Sequence, residues 1–409
     1  MRMHAHIKFR ARRFLFVMGF TCPYLGAGWR RVFNLAKYFT KKGHECYILS
    51  SVSPRSINSP KIVREKNIPT YNVIPSIMVN NPLLLFLNNI LAFVASIPFF
   101  LVIKPHVVII SLPPARQFLS TFILSKVIKS KLVVDYRDEF EDYLVLYGKK
   151  WRRFYLLLKK FLSCLYRRSH LITPVTPAVA ESLKRRGVLN IRVIHDGVDT
   201  SVFKPWNRNR VRSAIALSKD AFQIVYLGHV YSPYRLDIVV EALRILKEKG
   251  REDRNKYMLI IVGGGDIKTI LDYASNIDVK EMVNYVGRFN NPIEIAKILS
   301  TADVGIIPYD DNPLWKRTLS TKLFEYCACA LPVIATVTKD SILARYIEEN
   351  QVGFVVPPLD SKSLANLIES MYDEPKLRSI ISLNALHFAE KYDKKKIAEE
   401  LLSYVLPDE

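Results

Sequence analysis

Lys322 and Glu325 stand in a stretch that otherwise suits a protein interior, "STKLFEYCACALPVIAT" at residues 320–336. The apolar and small residues before Pro332 predict a packed helix, because proline ends a helix, and those after it predict a buried strand. The two charged residues fall near the start of this helix. Free backbone N–H groups and the helix dipole favour an anion at that place.

A nucleotide lying across the helix start would use both charges. Ser320 and Thr321 can cap the helix, while its N–H groups and Lys322 would bind a phosphate. Glu325 would accept hydrogen bonds from two vicinal ribose hydroxyls, because an ionised carboxylate only accepts. The alternative is structural: a carboxylate stabilised by the dipole, or paired with the lysine three residues earlier. The local pattern leaves both interpretations open.

Two glycine-rich turns could bring backbone close to a ligand. "GAGWRR" contains Gly26 and Gly28 just before a predicted helix, and "VGGGD" contains Gly264 after a predicted strand. Either turn alone fits a plain tight turn as well as it fits an anion site.

The elements around these residues repeat one pattern in two halves. "FLFVMGFTCPYLGAGWRRVFNLAKYFTKKGHECYILS" predicts a strand, a turn, an amphipathic helix and a strand, and the pattern restarts at "FQIVYLG". We therefore expect an α/β protein of two doubly wound Rossmann-like domains facing a cleft, joined near 196–206. The expected domains are 1–200 and 201–383, followed by a helix over 384–409 that crosses back to the first domain.

Length and composition are those of an ordinary globular protein. The 409 residues are 49% apolar and 24% charged, and the chain is too long for a single core. Its cysteines are scattered and lack metal-ligand spacing, which predicts reduced thiols in a cytoplasmic protein. They are Cys22, Cys46, Cys164, Cys327 and Cys329.

The net charge of +22 lies entirely in the first half. Residues 1–200 hold 32 Lys and Arg against 10 Asp and Glu, whereas residues 201–409 hold 28 of each kind. Such asymmetry indicates a polyanionic partner for the first half alone, either nucleic acid or an anionic membrane.

Residues 82–103 are long and apolar enough to span a bilayer. Asn88, Asn89 and Pro98 interrupt the stretch, and it lies between strands of one predicted sheet, so we expect a buried or in-plane helix instead of a span. Nearby basic clusters favour contact with an anionic membrane surface; they are Lys149-Lys150, Arg152-Arg153, Lys159-Lys160, Arg167-Arg168 and Lys184-Arg185-Arg186.

The chain resembles the retaining, nucleotide-sugar-dependent glycosyltransferases of family 4 (group 1), which have the GT-B fold. The resemblance rests on "VNYVGRF", "ADVGIIP", "TKLFEYCACALPV", "IRVIHDGVDTSVFKP" and "PYLGAGWRRVFNLAKYFTKKGHE". It implies that Glu325 binds the donor ribose and that Arg288 and Phe289 lie beside the base. It also implies that Gly26 and Gly28 face the diphosphate from the opposite domain.

Some positions depart from the family pattern. Arg317 stands where many members carry the first of two glutamates, so we expect the sugar contact from backbone around 319–321. His229 and Tyr234 stand where many members carry an arginine and a lysine for the diphosphate. Arg235, Lys322 and His229 are then its expected cationic partners.

"VVDYRDEF" resembles a segment of members that act on lipid-linked acceptors, which places Asp138 near the reacting sugar. The alternative is a charged residue at a strand end, paired with Arg137 or a neighbour.

The resemblance implies a retaining transfer from a nucleoside-diphosphate sugar, with UDP or GDP, to a hydroxyl acceptor that is lipid-linked or a growing cell-surface glycan. We expect a cytoplasmic enzyme on the inner face of the cell membrane, with no cofactor. No metal is expected, because Asp-x-Asp does not occur. The expected catalytic residues are Asp138, Arg235 and Lys322. The expected donor-binding residues are Gly26, Gly28, His229, Gly264, Arg288, Phe289, Ser320, Thr321, Leu323 and Glu325.

Three other classes of protein were weighed. A nucleotide-sugar epimerase on the same fold is the nearest alternative. A nucleic-acid-binding protein would explain the charge, but the basic clusters lack aromatic interleaving or a recognition motif, so no nucleic acid is expected. A dinucleotide oxidoreductase would explain two Rossmann-like halves, but no G-x-G-x-x-G follows the first strand.

Overall fold

A computed structural model describes residues 11–22, 26–53, 56, 58–76, 82–113, 117–214, 221–231, 234–250 and 256–407. The chain divides into two compact units. Unit 1 runs to Asp196 and resumes at Lys394, and unit 2 covers Gly197–Asp393. These boundaries differ from the expected 200/201 and 383/384, because the final helical stretch is broken near residue 393 and only its second part belongs to unit 1.

Unit 1 is built on a sheet that pairs in the order β3-β4-β2-β1-β5-β6-β7 within the described residues. All its pairs are parallel except β3 with β4. The strands are β1 Arg13–Met18, β2 Glu45–Val52, β3 Ile62–Glu65, β4 Ile68–Pro75, β5 Val107–Leu112, β6 Lys131–Tyr136 and β7 Leu171–Pro174. The helices are α1 Ala27–Lys41, α2 Pro82–Ile103, α3 Phe118–Val127, α4 Phe140–Tyr147, α5 Arg152–Arg167, α6 Pro177–Arg185 and, from the far end of the chain, α15 Lys394–Val405.

The helices of unit 1 cover both faces of this sheet. Because parallel crossovers are right-handed, the β1-to-β2 connection and the connections that run from β4 towards β7 place their helices on opposite faces. One face therefore carries α1, on which α15 packs. The other carries α2, α3 and α5, whose Ala92, Phe118 and Leu162 share one apolar core with strand residues.

Unit 2 has a parallel sheet in the order β10-β9-β8-β11-β12-β13. Its strands are β8 Phe222–Val230, β9 Tyr257–Gly265, β10 Val283–Gly287, β11 Val304–Pro308, β12 Val333–Thr336 and β13 Gly353–Val356. Its helices are α7 Arg208–Ala214, α8 Leu236–Lys249, α9 Ile267–Asn276, α10 Pro292–Leu299, α11 Thr321–Ala328, α12 Ile342–Glu349, α13 Ser361–Asp373 and α14 Pro375–Lys391.

The stretch at residues 320–336 forms α11 and β12, as its pattern predicts. Every residue of α11 after Thr321 is buried, since the helix lies between the sheet and α14. Phe324 stacks on Phe388 of α14, with ring centroids 5.6 Å apart.

The apolar stretch at 82–103 is one continuous helix, α2, with Pro98 inside it. It is long and apolar enough to cross a membrane, yet only 28% of its most apolar window is buried. Of the two expected arrangements, a buried core helix is therefore wrong. Asn88 and Asn89 do not interrupt the helix, and each donates a side-chain hydrogen bond to the carbonyl four residues earlier.

Candidate functional site

The start of α11 presents its first backbone N–H groups without a side-chain cap. Ser320 occupies the capping position in an extended conformation, but its hydroxyl makes no capping hydrogen bond. The expectation that it caps the helix is therefore wrong, and Thr321 lies one step further on as the first helical residue. The first N–H groups of a helix lack intrahelical acceptors, so this end can bind an anion.

Lys322 is buried at this helix start, with only 7% of its surface exposed. Its ammonium lies 3.9 Å from the ring centroid of Tyr234 and 5.5 Å from that of Tyr226. Burial lowers the pKa of Lys322 to about 8, and Glu325, itself 5% exposed, partly opposes that shift. The lysine is thus a buried cation whose charge a bound anion would stabilise.

Gly228 makes room for the stem of this lysine. Its φ of 144° is a conformation that side chains rarely adopt, and a Cβ there would lie 2.7 Å from Cε of Lys322. Gly228 pairs with Gly263 of β9, where a Cβ would lie 1.8 Å from the carbonyl oxygen of Gly228. The glycines of "YLGH" and "VGGG" therefore allow the two strand ends and the lysine to approach closely.

Tyr326 fixes the orientation of α11 on the sheet. Its hydroxyl accepts a hydrogen bond from the N–H of Leu227 at 2.9 Å and donates one to the carbonyl of Ile306 at 3.2 Å. These carbonyl and amide groups belong to β8 and β11, so α11 is fixed against both strands, and the close approach of Lys322 to Gly228 places the helix start near the carboxyl end of β8. Ligands of open α/β sheets bind at such ends.

Other predicted donor residues gather on unit 2 at the ends of β8, β9 and β10. His229 is exposed and pairs in register with Gly264. A Cβ at Gly264 would lie 3.6 Å from Cδ of Arg288, whose side chain is also exposed. Phe289 is half-buried against the core; Leu323 is fully buried, and its backbone N–H already donates to the carbonyl of Ser320 at 3.1 Å.

Arg235 directs its guanidinium to a carboxylate. It is the residue before α8, and it forms an ion pair with Asp237 at 2.5 Å. Both line a pocket of about 570 Å³ that also contains Asp266 and Asp310. These acidic neighbours compensate much of its charge, which makes Lys322 the better placed cation for a diphosphate.

Sequence reasoning missed a stack of aromatic rings behind Lys322. Tyr309 and Trp315 are parallel, with centroids 4.5 Å apart and planes 5° apart, and Tyr234 stacks on Tyr309 at 5.4 Å. Tyr234 stands where the resemblance implies a lysine in many family members. The aromatic residue at this position could have predicted the contact with Lys322, since the face of an aromatic ring attracts a cation.

The predicted residues of unit 1 lie near the start of α1 and after β6. Gly26 precedes α1 as its capping residue, and Gly28 is buried in the first turn. The side chain of Asp138 reaches solvent, but the protein atoms around its carboxyl partly desolvate it; this raises the pKa of the carboxyl, and Arg137 counteracts that shift. Arg137 donates its hydrogen bonds to Ser111 and to the carbonyl of Pro113, so the expected alternative, a pair with Asp138, is not what these contacts show.

A buried ionic cluster on unit 1 was also missed. Arg31 of α1 donates to Asp135 of β6 at 2.8 Å, to the carbonyl of Ile194 at 3.0 Å and to Asp196 at 3.1 Å. It joins α1 to the residues that end the first part of unit 1. Its members are up to 165 positions apart, so no local spacing announces it.

Both halves of the chain match profiles of one enzyme family. Residues 28–202 match "Glycosyltransferase Family 4", and residues 207–388 match "Glycosyl transferases group 1". The chain belongs to the family 4 (group 1) glycosyltransferases. The predicted family is thus confirmed.

Relatives and solved structures agree with this assignment. D-inositol 3-phosphate glycosyltransferase of Saccharomonospora viridis is 20% identical over 52% of this chain and 49% of its own, so the chain matches about half the length of that relative. Sucrose-phosphate synthase of Thermosynechococcus elongatus superposes with a TM-score of 0.78 at 18% identity, over 95% of this chain and 97% of that one. The protein HepE of Anabaena, solved in complex with UDP, has a TM-score of 0.69 at 16% identity, over 97% and 100%.

At such identity the structures establish the fold alone, and that fold is the predicted GT-B type. Within the ranges that the structure describes, His, Cys, Asp and Glu side chains form no group of three or more that could hold a metal ion. Of the predicted donor residues on unit 2, His229 and Arg288 are exposed, whereas Lys322 and Glu325 are buried at the start of α11.

Proposed function

We propose that this protein is a retaining glycosyltransferase that moves a sugar from a nucleoside-diphosphate donor to a hydroxyl acceptor. The observation that carries the proposal is the burial of Lys322 and Glu325 together at an uncapped helix start. A buried cation and a buried carboxylate one turn apart suit a ligand that is anionic at one end and carries hydroxyl donors at the other.

The reaction requires stabilisation of negative charge on the departing diphosphate. The N–H groups of α11 and the ammonium of Lys322 are preorganised donors for that charge. Burial has already removed water from the lysine, so its interaction with the phosphate is stronger than it would be at the surface. Glu325 holds the ribose, while His229 and Arg235 are the further cationic partners of the diphosphate.

Bond changes on one face of the sugar give retention. The acceptor oxygen forms a bond to the anomeric carbon as the bond from that carbon to the phosphate oxygen breaks. The acceptor proton passes to the departing phosphate, so no strong side-chain base is needed. In this proposal Asp138 would serve on the acceptor side of the reaction. No metal or cofactor takes part, because helix N–H groups and lysine supply the positive charge.

UDP and GDP are the donor nucleotides that we consider. UDP has the additional support that HepE, a protein of the same fold, was solved with UDP bound. The base would lie beside Arg288 and Phe289 at the end of β10.

A panel of UDP- and GDP-sugars tests the proposal, with donor hydrolysis, thermal shift and product analysis as readouts. One sugar nucleotide should raise the melting temperature by mass action and be cleaved slowly without acceptor. The Glu325→Gln variant, run beside the wild type, should lose most of the shift. No shift with any donor would overturn the proposal, and epimerised free sugar without transfer would favour the epimerase.

We also propose that the enzyme works in the cytoplasm on the inner face of the cell membrane, where its acceptor is lipid-linked or a growing cell-surface glycan. The basic excess of the first half supports this location. Exposed basic side chains at the start of α5 and just before it would bind anionic lipids; they are Lys149, Lys150, Arg152 and Arg153.

Vesicle sedimentation at several salt concentrations tests the location. Binding should require anionic lipid and should fall when those four residues are replaced by Gln. Four exposed lysines of unit 2 provide the matched control, replaced in the same way: Lys268, Lys280, Lys362 and Lys376. A wild-type protein that ignores anionic vesicles would contradict the proposal.

A further inference from the structure

Over its first four turns, helix α2 has the reverse of the polarity expected for a helix on a water-soluble domain, whereas in its last turns Phe100 and Ile103 are buried in the core. In its first four turns the buried positions are Asn88, Ala92 and Ser96, spaced four apart. The side away from the protein carries large apolar residues instead, such as Phe86 and Ile90. A helix on the surface of a water-soluble domain shows the opposite arrangement, with its apolar stripe towards the core. Small and weakly polar residues towards the protein, and apolar ones away from it, suit a helix that faces lipid.

The outward side of α2 is apolar along its whole length. Leu83 is 73% exposed at one end and Val102 is 82% exposed at the other, with Phe86, Ile90 and Val94 between them. None of its 22 residues is charged. A contiguous apolar surface of this length marks contact with a protein or a membrane.

Neighbouring helices on the same face of the sheet extend this surface. Ile123 and Val127 of α3 are exposed beside α2, and α5 exposes Leu157 and Phe161. The three helices and the segments next to them also carry exposed basic residues, which include Lys104, Lys126, Lys129, Lys149, Lys150, Arg152, Arg153, Lys160, Arg167 and Arg168. Apolar surface together with cations is complementary to a bilayer that contains anionic lipid.

The α4–α5 pair shows that these side chains are exposed on a firmly anchored support. Glu141 of α4 is buried and accepts hydrogen bonds from Tyr136, from Tyr166 at 2.8 Å and from Arg186 at 3.2 Å. The inner side of the pair is thus fixed by a charged network. The outer apolar residues of the pair are therefore exposed in the folded unit, and their exposure does not result from a loosely packed helix.

The topology excludes a conventional span. α2 connects β4 to β5, which belong to one sheet, and it packs on β4 and on α3. A helix that begins and ends at the same sheet, and that keeps these contacts, can enter a bilayer only lengthwise.

We infer that α2 lies lengthwise within the apolar layer of one leaflet, with the exposed apolar residues of α3 and α5 beside it and the basic residues at the depth of the lipid phosphates. The inference rests on the membrane location proposed above and deepens it: the protein is inserted in the membrane and not only held there by charge. Asp138 lies two residues before α4, on the same inserted unit, so the acceptor is one that reaches the enzyme from the lipid phase.

Salt extraction separates insertion from attraction by charge. The full chain is bound to phosphatidylcholine–phosphatidylglycerol vesicles and washed in about 1 M NaCl, where the Debye length is about 3 Å. The wild type should stay bound until detergent is added. The triple variant Phe86→Ser, Ile90→Ser and Val94→Ser should lose salt-resistant binding by more than about a hundredfold. A control with Ile380→Ser and Leu383→Ser, exposed apolar residues of α14, should behave as the wild type.

Depth is measured with a probe at position 90. An environment-sensitive dye on Ile90→Cys, in a Cys164→Ser background, should be quenched by lipids that carry a spin label in the acyl chain. The same dye on Lys41→Cys, an exposed position of α1 on the other face of the sheet, should not be. Complete release of the wild type by salt, or absence of quenching at position 90, would overturn the inference. A disulfide that forms between two Ile90→Cys chains without lipid would also overturn the inference, because it would show that the exposed side of α2 contacts a second copy of the chain.

Donor turnover distinguishes this inference from the proposed function. The triple variant alters outward side chains of α2 only, so its hydrolysis of a water-soluble donor should equal that of the wild type. Inserted protein without donor turnover would count against the glycosyltransferase proposal. If the protein turns over the donor but is released completely from vesicles by salt, the result would contradict insertion and leave the glycosyltransferase proposal intact.

Discussion

The pKa of Lys322 makes donor binding depend on pH in a range where few other groups titrate. With a pKa of about 8, the free lysine is about nine-tenths charged at about pH 7 and about one-tenth charged at about pH 9. A diphosphate binds the charged form, so apparent affinity should fall about tenfold between these values, or about 1.4 kcal/mol. Since the charge of the diphosphate stays constant across this range, the change in apparent affinity must come from a group of the protein.

Calorimetry of donor binding at both pH values measures the effect. The Lys322→Met variant should bind weakly and with little change between them. Lys316→Met is the matched control, because Lys316 is exposed and pairs with Asp340, and it should retain the wild-type pH dependence. Binding should also take up protons near pH 8, visible as a heat that depends on the buffer. An affinity that is flat from about pH 7 to about pH 9, without proton uptake, would refute the assignment of this lysine to the diphosphate.

The same lysine affects stability in the opposite sense. The unfolded chain keeps the proton up to the ordinary lysine pKa of 10.5, whereas the folded chain releases it near 8. Protons are then more tightly held by the unfolded state, so this group adds stability as the pH rises through that window. Denaturant unfolding of the wild type and of Lys322→Met, compared at about pH 7.5 and about pH 10, should show that increment in the wild type only.

Three further outcomes are expected. Glu325→Gln should weaken donor binding by about 1.5–3 kcal/mol, the range for hydrogen bonds to charged groups, and unchanged affinity in calorimetry would remove the ribose assignment. Transferase activity should survive excess EDTA, and complete loss restored by Mn²⁺ or Mg²⁺ would contradict the metal-free mechanism. Arg31→Met should lower the free energy of unfolding by about 3–5 kcal/mol, because it leaves Asp135 buried without its cation. Arg244→Met, at an exposed ion pair, should cost about 0–1 kcal/mol in the same denaturant assay.

Local patterns predicted the elements that carry the site. The helix before Pro332 and the strand after it form as expected, because one apolar period and one helix-ending residue decide them. The same pattern placed Lys322 and Glu325 at the helix start. The pattern could not predict that the ammonium of Lys322 lies against Tyr234. The two residues are almost ninety positions apart, and they meet only when their elements pack together.

Contacts between distant segments account for what was missed. Arg31 donates to a carboxylate on β6 and to a backbone carbonyl in the segment that follows α6. Only the folded sheet brings these groups together. The exposure of α2 could not be predicted either, because the sequence of an apolar helix does not show whether its large or its small side chains face the protein. The break at residues 392–393 also coincides with a distant contact, because Asp393 accepts hydrogen bonds from the backbone N–H and the hydroxyl of Thr200, 193 positions earlier.

The packing of α15 on α1 has a consequence for synthesis on the ribosome. Ile397, Ala398 and Leu401 complete the core of a unit whose other residues are translated roughly two hundred codons earlier. All of unit 2 must emerge before they do, so unit 2 can finish folding while the nascent unit 1 still exposes one side of α1. The docking of α15 on α1 is therefore a step of unit 1 that can occur only after unit 2 has been translated, whereas domains generally fold in the order of their synthesis.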